Sequence, residues 1–155
     1  MAILGSIIKS AIELRGSLVS EPSPVEAQKE VLISLLEKAK DTAFGKYYGF
    51  TTILESEQPA KKFTEVVPFF DYHTMKEEWW DRTISGLPDI TWPGKPSYFA
   101  LSSGTTGKTS KRIPVTDEMI EAIRTTGIKQ VGALTNFELP TDFFEKEIMM
   151  LGSST

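Results

Sequence analysis

The stretch YFALSSGTTGKTSKRIPVT, residues 98–116, organises this sequence around one loop. It holds two glycines, two lysines, one arginine and seven Ser or Thr hydroxyls. Short apolar runs stand at both of its ends, and we predict strands at residues 98–101 and 111–115. The nine residues between these strands are rich in small donors and cations. A loop of this composition suits either the phosphate chain of a nucleotide or the solvated tip of a hairpin.

The residue types in the loop favour polyphosphate in three ways. Gly104 and Gly107 allow unusual backbone dihedrals and a close approach of phosphate to backbone N–H groups. Lys108 and Lys111 add compact positive charge. The candidate hydroxyl donors are Ser102, Ser103, Thr105 and Thr106.

Two common nucleotide motifs do not describe this loop. A Walker A motif needs four residues between its glycines and opens directly into a helix. Here two residues separate Gly104 from Gly107, and a strand-like segment follows. The dinucleotide fingerprint G-x-G-x-x-G is also missing from the sequence.

Composition limits the classes of function. A chain of 155 residues has the size of one domain, and a net charge of −4 argues against a nucleic-acid partner. With no cysteine and His73 as the only histidine, thiol catalysis, a histidine metal cluster and a Ser-His-Asp triad are not expected. His73 is predicted to be a surface residue near the start of a helix. Residues 1–15 have the spacing of an amphipathic helix rather than a secretion signal, so we expect a cytoplasmic protein that does not enter membranes.

Helix signals precede the loop. An amphipathic helix is predicted at residues 3–18, with a face that covers another part of the molecule. Ser23-Pro24-Val25-Glu26 forms a capping box for a second helix, which Gly45 is predicted to end. Residues 44–50 are predicted to be a packed aromatic corner. Residues 63–70 are predicted to be extended, Asp71 to cap a helix that reaches Ser85, and residues 88–96 to be a loop. One of the tryptophans at 79 and 80 should be in the core and the other at an edge.

Further elements follow the loop. Thr116 is predicted to cap a helix, and the expected buried face of that helix consists of Ile120, Ile123, Gly127, Val131 and Leu134. Residues 148–151 form a continuous apolar run, typical of a strand that is buried on both faces of a sheet. Such a strand needs neighbours on both sides, so we expect this chain to be the N-terminal piece of a larger protein.

The loop SSGTTGKTSK, residues 102–111, resembles the phosphate loop of the adenylate-forming superfamily. The surrounding chain is most similar to the plant auxin-responsive acyl-acid amido synthetases and their bacterial relatives. This resemblance is carried by Ser-Ser-Gly-Thr-Thr at the start of the loop, Lys-Arg-Ile-Pro at its end, Thr-Ala-Phe-Gly at 42–45, and Val-Pro at 67–68 before the Asp71 helix. The second loop glycine of that family usually stands one residue later, where this chain has Lys108.

The resemblance implies an ATP-dependent ligase that adenylates a carboxylic acid and then transfers the acyl group to an amine, usually that of an amino acid. It implies that Lys111 is the catalytic lysine and that the rest of the loop binds the ATP phosphates. The ligands of Mg²⁺ and the contacts to the acyl acid are expected in the remainder of the polypeptide, so this chain alone should be inactive.

The implied fold is α/β, the N-terminal portion of the large adenylate-forming domain with helices around a partial mixed sheet. Residues 1–86 should be mainly helical, and residues 97–155 should run strand, phosphate loop, strand, helix, strand. Two other functions stay open from the residues themselves: a phosphotransferase or NTPase with a nonstandard phosphate loop, and a non-enzymatic binding domain.

Overall fold

The computed structural model describes residues 6, 7, 9–11, 14, 23–102, 110–134, 137, 139, 140 and 143. Contacts divide the chain into one unit of residues 22–121 and a second of residues 1–21 and 122–155. The fold is mixed α/β and mostly helical, with a small two-stranded antiparallel sheet, in agreement with the expected class. The strand predicted at 148–151 lies outside the described residues, and the predicted split into residues 1–86 and 97–155 stays a prediction.

The elements of the larger unit follow in chain order. Four helices come first: α1 (Pro24–Ala39), α2 (Ala43–Tyr47), α3 (Phe50–Leu54) and α4 (Pro59–Val66). Three contiguous helical segments follow: α5 (Tyr72–Met75), the π-helical segment π1 (Lys76–Trp80) and α6 (Asp81–Ile84). Strands β1 (Tyr98–Leu101) and β2 (Arg112–Val115) precede α7 (Asp117–Ala133), which continues into the second unit.

Helix α1 begins at the predicted capping box. The Ser23 hydroxyl accepts a hydrogen bond from the Glu26 N–H at 3.3 Å, and the Glu26 carboxylate accepts one from the Ser23 N–H at 3.0 Å. Pro24 stands in the first turn, where its missing N–H costs nothing. The prediction that Gly45 ends this helix is wrong. The helix ends at Ala39, and Gly45 lies inside α2, which Thr42 caps.

The core of the larger unit is built around the aromatic corner. Phe44 is buried at its centre, with the Tyr48 and Trp79 rings at centroid distances of 4.7 and 4.8 Å. The buried apolar residues are Leu36, Ala39, Phe44, Phe50, Ile53, Trp79 and Ile90. The prediction of a packed corner is confirmed, and so is the division of the tryptophans. Trp79 is buried, whereas Trp80 is partly exposed and packs against the cluster.

The loop before β1 is fastened to this corner by backbone hydrogen bonds. The N–H groups of Ala43 and Phe44 donate to the carbonyl oxygens of Asp89 and Ile90, both at 2.8 Å. Asp89 has a positive φ of 56°. Its side chain accepts a hydrogen bond from the Gly94 N–H at 2.7 Å, and this local bond helps an aspartate to adopt a left-handed conformation. Residues 88–96 are therefore an ordered loop, as predicted.

The segment predicted to be extended at residues 63–70 is helical in its first half. Helix α4 starts with Pro59 at a favourable first-turn position and ends at Val66. Phe63 and Val66 are three residues apart and both pack against the core, so the helical spacing prevails over their β propensity. The chain is not helical at Val67, since a residue that precedes proline is disfavoured in the α conformation.

The capped helix after Pro68 is confirmed, with a local irregularity. The Asp71 carboxylate accepts hydrogen bonds from the N–H of Thr74 at 2.8 Å and from its hydroxyl at 2.9 Å. The helix widens into π1 at Lys76–Trp80 and returns to α-helical geometry until Ile84. Gly86 follows with a positive φ of 94°, a conformation that glycine often adopts just after the end of a helix.

Two faces that were predicted to be buried are exposed at several of the residues that the structure describes. Thr116 does cap α7, because its hydroxyl accepts a hydrogen bond from the Met119 N–H at 3.2 Å. However, Ile123 is 62% exposed and Val131 is 42% exposed. In the predicted first helix the described residues 6, 7, 9–11 and 14 are helical, but Ile7 is 58% exposed. Helical spacing marks an apolar stripe, and the stripe is buried only where another element packs against it.

Among the described residues, no helix is long and apolar enough to cross a membrane.

The first turn of α7 is tied to α1 and to the loop before β1 through one carboxylate. Glu118 accepts hydrogen bonds from the Lys38 ammonium at 2.7 Å and from the Trp92 indole N–H at 3.0 Å. These two donors lower the pKa of Glu118 from its ordinary 4.5 to about 2. The ionised carboxylate is therefore the form that favours folding.

Replacing Glu118 with glutamine should lower the free energy of unfolding in a pH-dependent way. The loss should be on the order of 1 kcal/mol at pH 7, because both charged side chains are about half exposed and solvent screens the pair. The carboxylate stabilises the fold above the unfolded-state pKa near 4.5, and this contribution is lost as the pH falls toward 2.

Urea unfolding of wild type and Glu118→Gln at pH 7 and pH 3.5 measures this difference in stability. Glu37→Gln, which removes the exposed pair with Lys40, is the matched control. A Glu118→Gln effect that is equal at both pH values would contradict the assignment.

Candidate functional site

The loop at residues 102–111 is presented by a β-hairpin. Strands β1 and β2 pair antiparallel, with Tyr98 opposite Val115 at one end and Leu101 opposite Arg112 at the other. Both strands were predicted, and β2 begins one residue later than expected. The guanidinium of Arg112 lies 5.0 Å from the centroid of the Phe99 ring, which adds a cation–π contact within the hairpin.

The two ends of the loop are joined by a pair of hydrogen bonds. The Ser102 N–H donates to the Lys111 carbonyl oxygen at 3.1 Å, and the Lys111 N–H donates to the Ser102 hydroxyl at 3.2 Å. The hairpin therefore closes directly at two of the predicted site residues. The other predicted phosphate-binding residues lie outside the described residues, and their roles stay predictions: Ser103, Gly104, Thr105, Thr106, Gly107 and Lys108.

Ser102 can serve both the loop and a ligand. Its hydroxyl oxygen accepts from the Lys111 N–H, while the hydroxyl hydrogen is not used in that bond. A serine hydroxyl has one donor hydrogen and two acceptor lone pairs, so it can still donate to a phosphate oxygen. One residue can thus close the hairpin and contribute a donor at the base of the loop.

Lys111, whose backbone closes the base of the loop, also carries a positive charge on its side chain. The residue is exposed, and its Nζ lies 4.9 Å from the centroid of the Tyr72 ring. An ammonium at this distance is attracted to the electron-rich face of the ring. The lysine at the end of the loop is therefore held against a helix that comes nearly forty residues earlier in the chain.

Tyr72 makes a second contact to the hairpin. Its hydroxyl accepts a hydrogen bond from the Arg112 N–H at 2.9 Å. Sequence reasoning missed this residue. Its neighbour Asp71 was recognised as a helix cap, but no local pattern connects a tyrosine at the start of a helix with a strand about forty positions later. Only the tertiary arrangement shows that contact.

Histidine and metal chemistry receive no additional support from the described residues. His73 is exposed at the start of α5, as predicted. Within the ranges that the structure describes, no group of three or more His, Asp or Glu side chains is placed to hold a metal ion.

Comparison with known proteins gives one finding. Neither the curated proteins nor the solved structures provide a match to this chain. The model described as GH3 family N-terminal domain matches residues 20–154, which is most of the chain and includes the whole hairpin. The chain therefore belongs to the GH3 family, the family of the auxin-responsive acyl-acid amido synthetases, through that family's N-terminal domain.

Proposed function

We propose that this chain is the phosphate-binding part of an adenylate-forming acyl-acid amido synthetase, related to the bacterial members of the family. The observation that carries the proposal is the closed base of the loop, where Ser102 and Lys111 bond to each other in a chain of the GH3 family. The Ser102 hydroxyl and the Lys111 backbone meet at this base, and the Lys111 side chain adds an ammonium that lies 4.9 Å from the centroid of the Tyr72 ring. The loop residues beyond it supply the glycines and hydroxyls that phosphate binding needs.

The proposed reaction has two steps. A carboxylate oxygen of the acyl acid attacks the α-phosphorus of ATP, the bond from that phosphorus to the bridging oxygen breaks, and pyrophosphate leaves. The amine of an amino acid then attacks the acyl carbon, AMP leaves with the acyl oxygen, and the nitrogen loses a proton to give the amide. Negative charge grows on the β- and γ-phosphates during the first step.

The residues of the loop have distinct parts in this proposal. Lys111 stabilises the developing charge on the leaving pyrophosphate, and preorganised hydroxyl and N–H donors do the same at no cost in reorganisation. Ser102, Ser103, Thr105 and Thr106 are the proposed hydroxyl donors, with Gly104 and Gly107 allowing the backbone to approach. Lys108 is an additional cation, which either contacts phosphate or faces water.

Magnesium is expected to arrive with ATP. As the resemblance to the family implies, its protein ligands are proposed to lie elsewhere in the polypeptide, together with the contacts to adenine, ribose and the acyl acid. The partners of the chain are accordingly the remainder of its own polypeptide, a carboxylic acid and an amino acid.

The nature of the nucleotide product tests the proposal. The native full-length polypeptide should be incubated with MgATP, amino acids and a panel of carboxylic acids, and its products should be separated by chromatography. We expect AMP and pyrophosphate, formed only when a suitable acid is present. ADP and phosphate would instead indicate a phosphotransferase or NTPase. No turnover with any acid would favour a binding domain.

A further inference from the structure

We propose that Tyr72 is a positioning residue that holds Lys111 at the base of the phosphate loop. The inference rests on the proposed function, because it assigns to a helix residue the task of placing the lysine that acts on the phosphates. It adds a residue that lies outside the loop and its two strands. Tyr72 is partly buried, and it contacts two consecutive residues of the hairpin through two different parts of its side chain.

The hydroxyl of Tyr72 fixes the backbone. Ser102 and Lys111 bond to each other across the hairpin, and successive residues of a strand direct their N–H groups to opposite sides. The Arg112 N–H therefore faces away from β1, along the outer edge of β2. The Tyr72 hydroxyl accepts this N–H at 2.9 Å, so the first residue of β2 is hydrogen-bonded to a helix. This bond limits the sliding and tilting of the strand end that carries Lys111.

The ring of Tyr72 fixes the side chain. The Lys111 ammonium lies 4.9 Å from the ring centroid, and a long lysine side chain that is exposed would otherwise sample many rotamers. A preorganised cation contributes more to transition-state stabilisation than one that must be ordered during the reaction. The ring therefore places the charge before ATP arrives.

The helix that carries Tyr72 is itself well anchored. Asp71 caps it through two hydrogen bonds to Thr74, and the Trp80 ring lies 6.1 Å from the Tyr72 ring in an edge-to-face arrangement. Trp79, in the same continuous helical stretch, is buried in the core. The contact from Tyr72 thus connects the loop base to a helical stretch that packs into the core.

Two substitutions separate the two contacts. Tyr72→Phe removes the hydroxyl and keeps the ring face, whereas Tyr72→Leu removes both. In the native full-length polypeptide we expect Tyr72→Leu to lower kcat/KM for ATP by about five- to thirtyfold. Tyr72→Phe should lower it by less, because the ring face is kept. KM for the acyl acid should not change. Tyr98→Leu, at the exposed far end of the same hairpin, is the control and should leave both parameters unchanged.

A double substitution tests whether Tyr72 acts through Lys111. In a Lys111→Ala background, Tyr72→Leu should cause less than about a twofold further loss, because residues that act as a unit are not additive. A full additional loss would overturn the inference. An equal rise of the KM values for ATP and for the acyl acid in Tyr72→Leu would overturn it as well, since it would indicate a general structural role.

Two measurements that need no catalytic turnover make this test independent of the test of the proposed function. Hydrogen exchange at the Arg112 amide in the full-length protein should become about tenfold faster in Tyr72→Phe, because that N–H loses its acceptor. MgATP affinity, measured by calorimetry, should be weaker in Tyr72→Leu than in wild type. If wild type forms no AMP, the proposed function fails, but the two measurements still decide whether Tyr72 orders a phosphate-binding lysine. Unchanged exchange or unchanged affinity would overturn the inference.

Discussion

Replacing Lys111 with alanine in the native full-length polypeptide should lower acid-dependent AMP formation about 10²- to 10³-fold, the usual effect of removing a preorganised charge donor. Lys111 bonds to Ser102 through its backbone at the closed base of the loop, and its ammonium lies 4.9 Å from the centroid of the Tyr72 ring. The proposed first step builds charge on the departing pyrophosphate. Because that charge is larger in the transition state than in bound ATP, kcat should fall more than KM rises. Steady-state kinetics with ATP varied measure both parameters.

Lys111→Arg serves as the conservative variant in this experiment, and Lys29→Ala serves as the control. Arginine keeps the positive charge but spreads it over a planar guanidinium, so it should recover only part of the activity. Lys29 is an exposed lysine of α1, and its loss should leave the rate unchanged. Lys111 is itself exposed, so its truncation should not alter the thermal unfolding midpoint. Wild-type turnover in Lys111→Ala would remove this lysine from the proposed mechanism.

Short-range signals in the sequence predicted the elements that present the site. The capping box at Ser23 and the caps at Asp71 and Thr116 all involve residues within four positions of each other, and each strand beside the loop is a continuous run of four residues. Such interactions are determined locally, so a single sequence contains most of the information. The position of Lys111 at the start of the second strand could be read in the same way.

The features that the sequence did not predict depend on packing between residues that are far apart in the chain. Phe63 and Val66 are common strand residues, yet the core lies along one side of them and selects a helix. The apolar spacing of α7 identified the helix correctly, but the exposure of Ile123 depends on its tertiary neighbours. Tyr72 reaches Lys111 and Arg112 only because the chain returns to the capped helix. The loop of the candidate site could therefore be predicted from the sequence, whereas the contacts of Tyr72 with Lys111 and Arg112 could not.

At Gly45 the sequence correctly indicated that glycine is required, but the predicted reason was wrong. Glycine at this position suggested a helix end, since it so often terminates helices. The structure gives a different cause, which is the close approach of two backbone segments. A Cβ on residue 45 would lie 2.0 Å from the Ala39 carbonyl oxygen, far inside van der Waals contact.

Replacing Gly45 with alanine should therefore lower the free energy of unfolding by about 3 kcal/mol, near the upper end of ordinary overpacking effects. The clashing carbonyl oxygen cannot move aside cheaply. It accepts hydrogen bonds from the Thr42 hydroxyl at 2.7 Å and from the Thr42 N–H at 3.1 Å. The same hydroxyl accepts the Gly45 N–H at 3.0 Å, so a shift that relieves the clash breaks the cap of α2. Phe44, the centre of the aromatic core, lies in that helix and would be displaced.

Gly127→Ala is the matched control, because it adds the same methyl group to a helix without a clash. Apart from its chain neighbours and the backbone of its own helix, no described atom lies within 4 Å of a Cβ built on Gly127, in the interior of α7. Alanine there should stabilise the protein by up to about 1 kcal/mol, the difference in helix propensity between the two residues. Urea unfolding of both variants, followed by tryptophan fluorescence, gives the comparison. Since Trp79 packs against Phe44, the folded-state spectrum of Gly45→Ala should change as well. A Gly45→Ala variant as stable as wild type would mean that α1 and α2 do not meet as closely as the structure places them.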